Sequence, residues 1–437
     1  MRHFFEKMKT EKLYELFKKV AGVSSDSRTV KKGEMFFALR GKNFNGNKFA
    51  EAALEKGASW AVIDDPLFET EKTFLVDDCL LELQALASRY RKKMNVQVLA
   101  ITGTNGKTTT KELIAAVLAK KHKVHYTIGN FNNHIGVPLT ILSAPRQTKL
   151  MIVEMGANRI REIDALCQIA NPDFGIITNI GTAHIEGFGS IEGIIKAKSE
   201  LYEYLREVNG IAFYNDKNSL LSDLILKIKN RAVPYSDPAG SELLIELIPS
   251  GLNLTLSATC NHKSYKIFTN FFGNYNIENV KATIALGLFF GVDMVDIVEA
   301  IENYKPSNNR SQINVTKKNT LICDSYNANP TSMFTALEAF DEIKSEKKLV
   351  ILGDMLELGG KSGEEHLNLL NKLRSLNIEN ALLVGPEFQK VSSLSGFRSF
   401  PDVSMLIKYL VMEPVKGYTI LLKGSRGIGL EESYDKL

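Results

Sequence analysis

Cysteine is scarce. The chain of 437 residues carries four, Cys79, Cys167, Cys260 and Cys323, widely separated. No Cys-x-x-Cys pair is present, which excludes a thiolate zinc site or a dithiol redox couple of that spacing. A reduced, cytoplasmic protein is the expectation. Long apolar runs are also missing. The longest uncharged apolar stretch, Ala282 to Val292, is too short to span a bilayer and reads as a buried helix. The N-terminal MRHFFEKMKTEKLYELFKK has no apolar core ahead of a cleavage site, so no signal peptide is expected there, and no membrane insertion. Neither charge sign dominates. Lys plus Arg total 54 against 50 Asp plus Glu, a formal net charge of +4 that argues against a nucleic-acid partner. With 44% apolar and 24% charged residues the composition is that of a folded protein, and the length calls for two or three domains. Internal repeats and low-complexity tracts are absent.

Apolar segments alternate with helical pattern over most of the chain. EMFFAL (34–39), SWAVID (59–64) and TFLVDD (73–78) read as strands, and NKFAEAALEKG (47–57) as a helix closed by Gly57. The polar run 89–95 marks a boundary. A second unit opens with VQVLAIT (96–102) and continues through KLMIVEMG, FGIITNIG and GIAFYN. Such alternation predicts a parallel sheet covered on both faces. Residues 242–272 read instead as antiparallel hairpins appended to that unit. The polar, Pro-bearing stretch 305–312 reads as a hinge, and a third α/β unit follows it.

The most informative motif is Ala100-Ile-Thr-Gly-Thr-Asn-Gly-Lys-Thr-Thr-Thr110, placed between a strand and a helix. Gly103 and Gly106 allow backbone amides to converge on phosphate oxygens, and the helix N-terminus adds positive potential. Lys107 suits the β- and γ-phosphates, and the Thr108 hydroxyl suits Mg2+. The loop is shorter than G-x-x-x-x-G-K-[ST], because Ile101 stands where the first glycine would be. A metal would also need a carboxylate at a strand end. Glu154 and Asp354 both qualify, and Glu154 shares the loop's domain.

Further candidates follow predicted strands. His184 lies beyond a strand of the same sheet, where strand C-termini surround a ligand. Gly129-Asn-Phe-Asn-Asn-His-Ile-Gly-Val-Pro138 is Asn-rich and suits a polar ligand or Asx turns. Asn329 is placed to cap a helix that starts at Pro330, which leaves Asp324 and Tyr326 unexplained. Lys423 and Arg426 suit a carboxylate or phosphate, or form an ordinary solvated turn.

Taken in order, these segments resemble the Mur ligase family of ATP-dependent peptidoglycan enzymes. Ser25-Asp-Ser-Arg28 with Gly33–Gly41 resembles the family's uridine-nucleotide-binding domain. Thr102–Thr108 matches its shortened phosphate loop, and Asn130–Pro138, Glu154-Met-Gly156 and Ala197–Leu201 match its central domain. NFNNHIGVP together with DSYNANPTSM and a terminal KGSRG is most similar to the members that add D-alanyl-D-alanine to UDP-N-acetylmuramoyl-tripeptide. One departure stands out: the usual Asp-Gly-His is here Asn45-Gly46-Asn47.

The resemblance implies an α/β protein of three domains: residues 1–93 for the UDP-sugar, 94–304 for ATP on a phosphate-loop parallel sheet, and 305–437, Rossmann-like, for the dipeptide. It implies an acyl phosphate, two Mg2+ ions and a monomer. Thr108 and Glu154 would hold the first ion, His184 and a carbamylated Lys198 the second. Lys107, His184, Lys198 and Arg310 would be catalytic. Gly103, Thr104, Asn105, Gly106, Lys107, Thr108, Thr109, Asn276, Asn279, Arg310, Asp324 and Tyr326 would contact ATP. Ser27, Arg28, Asn45, Gly46, Asn132, Asn133, Asn327, Asn329, Lys423 and Arg426 would contact the other substrates. Two rivals remain: another Mur-type or folylpolyglutamate synthase-like ligase, and a nucleotide switch that ligates nothing. A guanine-specific switch is disfavoured by the lack of Asn-Lys-x-Asp.

Overall fold

The computed structural model describes residues 2–181, 185–228, 231–392 and 396–437. The N-terminal unit is a four-stranded parallel sheet in the spatial order Val23–Ser24, Met35–Phe37, Trp60–Ile63, Thr73–Leu75. The three strands read from the sequence are present, each shortened by a residue or more at its ends.

The polar run 89–95 is not a loose linker. It closes the helix Cys79–Lys93, whose N-terminus Asp78 caps by accepting from the Leu80 and Leu81 amides. Arg91 in its last turn is buried, and donates to the Ala170 and Asn171 carbonyls and the Asp173 carboxylate. The run is polar because it binds exposed carbonyls at the end of the helix Glu162–Ala170. A single apolar cluster extends from Phe36 and Leu83 to Val98 and Leu201, joining the two units.

The central sheet is parallel and six-stranded: Ala232–Pro234, Ile211–Tyr214, Phe174–Ile177, Gln97–Thr102, Leu150–Glu154, Val124–Tyr126. Gln97–Thr102 is buried at its middle, because a strand covered on both faces must be continuously apolar. Its neighbours end in Glu154 and in Thr178-Asn179, so three strand C-termini open onto one crevice.

The hairpins are present as Leu243–Ile248, Asn253–Cys260 and Lys263–Phe272, but they are no mere appendage. Phe271 pairs with Gln312, which carries the sheet on into Gln312–Val315 and Thr320–Asp324. Thr419–Lys423, Lys348–Gly353, Ala381–Val384 and Arg398–Phe400 complete nine strands. Meanwhile Leu254, Leu256, Ile267 and Phe271 pack into the central unit's core. The hairpins thus belong by hydrogen bonding to the C-terminal sheet and by burial to the central unit. The stretch read as a hinge is anchored as well. The Ser311 amide donates to Asp324, and the Asn308 amide to Glu112. Ala282–Val292 lies in the helix Ile277–Phe289 and the turn after it, as expected. Among the described residues no helix is long and apolar enough to cross a membrane.

Candidate active site

The phosphate loop takes the shape its glycines permit. Gly103 has φ +147°, and a Cβ there would stand 2.0 Å from the Thr178 hydroxyl. Gly106 caps the helix Lys107–Leu118 with φ +78°, and its Cβ would meet Asn279 at 2.4 Å. Both values lie where side chains are strained. The loop is fixed from the next strand: the Asn105 amide donates to Asn179 Oδ1, and Thr178 Oγ1 donates to the Asn105 carbonyl. Lys107 Nζ folds back onto the Gly103 and Thr104 carbonyls, at 2.7 and 2.9 Å. Burial pushes it down to about 8, against the field of Glu154.

Glu154 is 1% exposed. Its Oε1 accepts from Thr108 Oγ1 at 3.1 Å and from Asn132 Nδ2 at 2.8 Å. Its Oε2 is buried and has no hydrogen-bond partner among the described residues. A buried carboxylate oxygen that accepts no hydrogen bond, with the Lys111 ammonium 3.4 Å away and a threonine hydroxyl beside the carboxylate, leaves an oxygen ligand open to a hard cation. The site therefore fits Mg2+. Asn132 orients the carboxylate rather than standing free, and Asn133 accepts from the Ile135 and Gly136 amides in an Asx turn.

Asp354, the alternative carboxylate, is excluded from this role. It is fully buried in the C-terminal unit and accepts from the Glu387 and Phe388 amides at a helix N-terminus. His366 stands 3.6 Å away. Its Nε2 accepts from the Met355 amide and its Nδ1 faces the Ser362 carbonyl, which makes it the neutral Nδ1–H tautomer. Burial raises the Asp354 carboxyl above its ordinary range.

One cavity of about 750 Å³ gathers most of the remaining candidates from the central and C-terminal units. Gly103 through Thr109, Asn132, Asn133, Glu154, Lys198, Asn276 and Asn279 line the central side. Arg310, Asp324, Tyr326, Asn327, Asn329, Lys423 and Arg426 line the other. Lys198 is 3% exposed, with its ammonium 5.4 Å over the Phe188 ring. Burial first, then the Lys107 charge, pushes it down to about 7. Arg310 stacks on the Tyr326 ring at 3.7 Å and keeps a buried Nε without a partner among the described residues. Asn329 caps the helix Pro330–Asp341 as expected, and its Nδ2 also donates to Asn105 Oδ1, joining the C-terminal unit to the phosphate loop.

Several side chains serve other partners than the sequence led us to expect. Lys423 is not a free cation: it is 4% exposed and donates to Asp324 Oδ2 at 2.7 Å and to the Asn327 carbonyl. Asp324 and Lys423 are register partners on adjacent parallel strands. Asn276 sits at a helix N-cap without capping it by its side chain, and donates to the Phe272 carbonyl and Ser311 instead. Asn279 donates to Asn276 Oδ1. His184 falls outside the described residues.

Ser27, Arg28, Asn45 and Gly46 do not line the cavity. Arg28 is exposed and chelated by Asp26, and Asn45 caps the turn Gly46–Phe49. Gly46 passes so close to Leu39 that a Cβ would meet its carbonyl at 2.3 Å. Asn47, in place of the usual histidine, is fully buried. It exchanges hydrogen bonds with Asp64 and so holds two loops together. The sequence reading missed Lys111, a fully buried lysine 3.4 Å from Glu154. Its only sequence signal is that it lies one helical turn after Lys107.

Comparison with known proteins agrees with this geometry. Residues 19–119 match the model described as Mur ligase family, catalytic domain. Residues 101–287 match the Mur ligase middle domain, and 309–426 the Mur ligase, glutamate ligase domain. The chain is 33% identical over 428 residues to the UDP-N-acetylmuramoyl-tripeptide--D-alanyl-D-alanine ligase of Bacillus subtilis, covering 94% of this chain and 92% of that protein. It superposes on the crystal structure of MurF from Acinetobacter baumannii with a TM-score of 0.84 at 28% identity, covering 97% of each chain. The MurF ligase from Thermotoga maritima, solved in complex with ADP, gives 0.82 at 26% identity, covering 96% of this chain and 97% of that one. With its phosphate loop, its buried strand-end carboxylate and three consecutive matching domains, the chain belongs to the Mur ligase family.

Proposed function

We propose that the chain joins D-alanyl-D-alanine to UDP-N-acetylmuramoyl-tripeptide at the expense of ATP, through an acyl phosphate. The observation that carries the reading is the single cavity holding Lys107, Thr108, Glu154, Lys198 and Arg310 between two units. We assign residues 1–93 to the UDP-sugar, 94–304 to ATP and 305–437 to the dipeptide. ATP and nucleotide-linked sugars are intracellular, so the reaction belongs in the cytoplasm. No step invokes a group from a second chain, and the protein is taken as a monomer.

The tripeptide carboxylate is a poor electrophile. One of its oxygens attacks the γ-phosphorus, ADP leaves, and the acyl phosphate formed carries a good leaving group. The dipeptide amine then attacks the carbonyl carbon, and the tetrahedral intermediate expels inorganic phosphate. Positioning and charge neutralisation dominate phosphoryl transfer. Lys107 swings from its loop carbonyls to the β- and γ-phosphates. Arg310, held flat by Tyr326, supplies charge from the opposite wall. Thr108 and Glu154 would hold a first Mg2+, which would supply charge neutralisation at the phosphate oxygens. Lys198, if converted to a carbamate, would hold a second, with His184, which lies outside the described residues, as its other candidate ligand. Burial favours the neutral amine that CO2 requires, in support of that modification.

With Lys423 engaged by Asp324, the exposed Arg426 is left to take the dipeptide carboxylate. Steady-state phosphate release tests the reading in wild type and Arg426→Ala. Release should require ATP, UDP-N-acetylmuramoyl-tripeptide and D-alanyl-D-alanine together. The variant should raise the Michaelis constant for the dipeptide by about ten- to a hundredfold, with that for ATP within about twofold. Release supported by folate and glutamate, or by ATP alone at the full rate, would overturn the assignment.

A further inference from the structure

The mechanism above leaves one buried charge unused. Lys111 is fully buried, and its Nζ donates to the Gly129 carbonyl at 3.0 Å. It stands 3.4 Å from Glu154 Oε2 and 3.8 Å from Glu112 Oε1. Glu112 is already served, with one oxygen accepting from the Tyr304 hydroxyl and the other from the Asn308 amide. Glu154 Oε2 has no hydrogen-bond partner among the described residues. An ammonium enclosed this completely needs a counter-charge. The nearest carboxylate oxygen is the one the metal would use.

We propose that Lys111 is a positioning residue that holds the Glu154 carboxylate in place while preventing a divalent cation from binding there on its own. A cation at Glu154 would face the ammonium at short range, in surroundings where charges act far more strongly than in water. Lys111 cannot withdraw, because its side chain has no exposed surface and is tethered to the loop that also supplies Asn132. The phosphates of a nucleotide bring the negative charge that offsets it. Metal therefore enters with the triphosphate, and the cleft does not fill with metal in the absence of substrate. The inference rests on reading Thr108 and Glu154 as metal ligands.

Mn2+ binding to the full-length protein, followed by electron paramagnetic resonance, tests both levels. Wild type should bind Mn2+ weakly alone and much more tightly with a non-hydrolysable ATP analogue. Lys111→Met should tighten binding of Mn2+ alone by about tenfold or more, and Lys111→Arg should restore the wild-type value. Mn2+ affinity in Lys111→Met within about twofold of wild type, or weaker, overturns the proposal. Glu154→Gln separates the two levels. If it binds Mn2+ as wild type does in the presence of the analogue, the metal-ligand reading itself fails. If it loses Mn2+ while Lys111→Met is unchanged, only the role of Lys111 fails. Should Lys111→Met not fold, Lys111→Met/Glu154→Gln removes both buried charges. Recovery of the fold supports the pairing, and continued unfolding overturns it.

Discussion

Lys107→Ala should lower single-turnover phosphate release by about a thousandfold or more, while the circular dichroism spectrum and melting temperature stay close to those of wild type. The first expectation follows from the charge it brings to the phosphates, the kind of contribution that dominates phosphoryl transfer. The second follows from its surroundings. Its ammonium bonds two carbonyls of its own loop and no other element, so truncation breaks no interdomain contact. The loop's shape is set by Gly103, Gly106 and the Asn105–Asn179 contacts, which the substitution leaves in place. Activity within tenfold of wild type would mean that the loop does not carry the triphosphate.

The second large effect concerns Lys198. A cationic lysine in this cavity would repel both a metal and Lys107. Burial first, and then the Lys107 charge, disfavours the ammonium there. The proposed carbamylation would convert the amine into an anionic oxygen donor of the kind a hard cation takes. Lys198→Ala should lose about a hundredfold or more of the turnover rate, and a short-chain carboxylate added to the assay should recover about tenfold by occupying the vacated oxygen position. A role in packing alone, through its contact with Phe188, would give a loss that no added carboxylate reverses.

What could be read in the sequence depended on how local its cause was. The phosphate loop was legible because two glycines, a lysine and a threonine are required within seven residues between a strand and a helix, and Gly103 and Gly106 do adopt the backbone angles that exclude other residues. Glu154 was legible as the end of an apolar strand in the loop's own unit, although Asp354 has the same local pattern and only the fold shows that it caps a helix. The Asn329 cap was legible for the same local reason.

Long-range pairings were not. Lys423 finds Asp324 across 99 positions, because two strands lie side by side in a sheet whose register no local pattern records. Arg91 fell in a run that read only as a boundary, because its partners, the carbonyls of Ala170 and Asn171, belong to another unit. Lys111 carries no local signal of its burial, which comes from the closing of the Asn-rich loop over it. The hairpins at 243–272 were recognisable as hairpins, but their bridge to Gln312 rests on a single residue pair.

The central claim is that a carboxylate oxygen of the tripeptide passes to phosphate. Ligation with UDP-N-acetylmuramoyl-tripeptide labelled with oxygen-18 in its terminal carboxylate, followed by mass spectrometry of the released phosphate, tests it most directly. An acyl phosphate places one labelled oxygen in each phosphate released, because the bond broken by the amine lies between the carbonyl carbon and the bridging oxygen. Amide product formed together with unlabelled phosphate would contradict it.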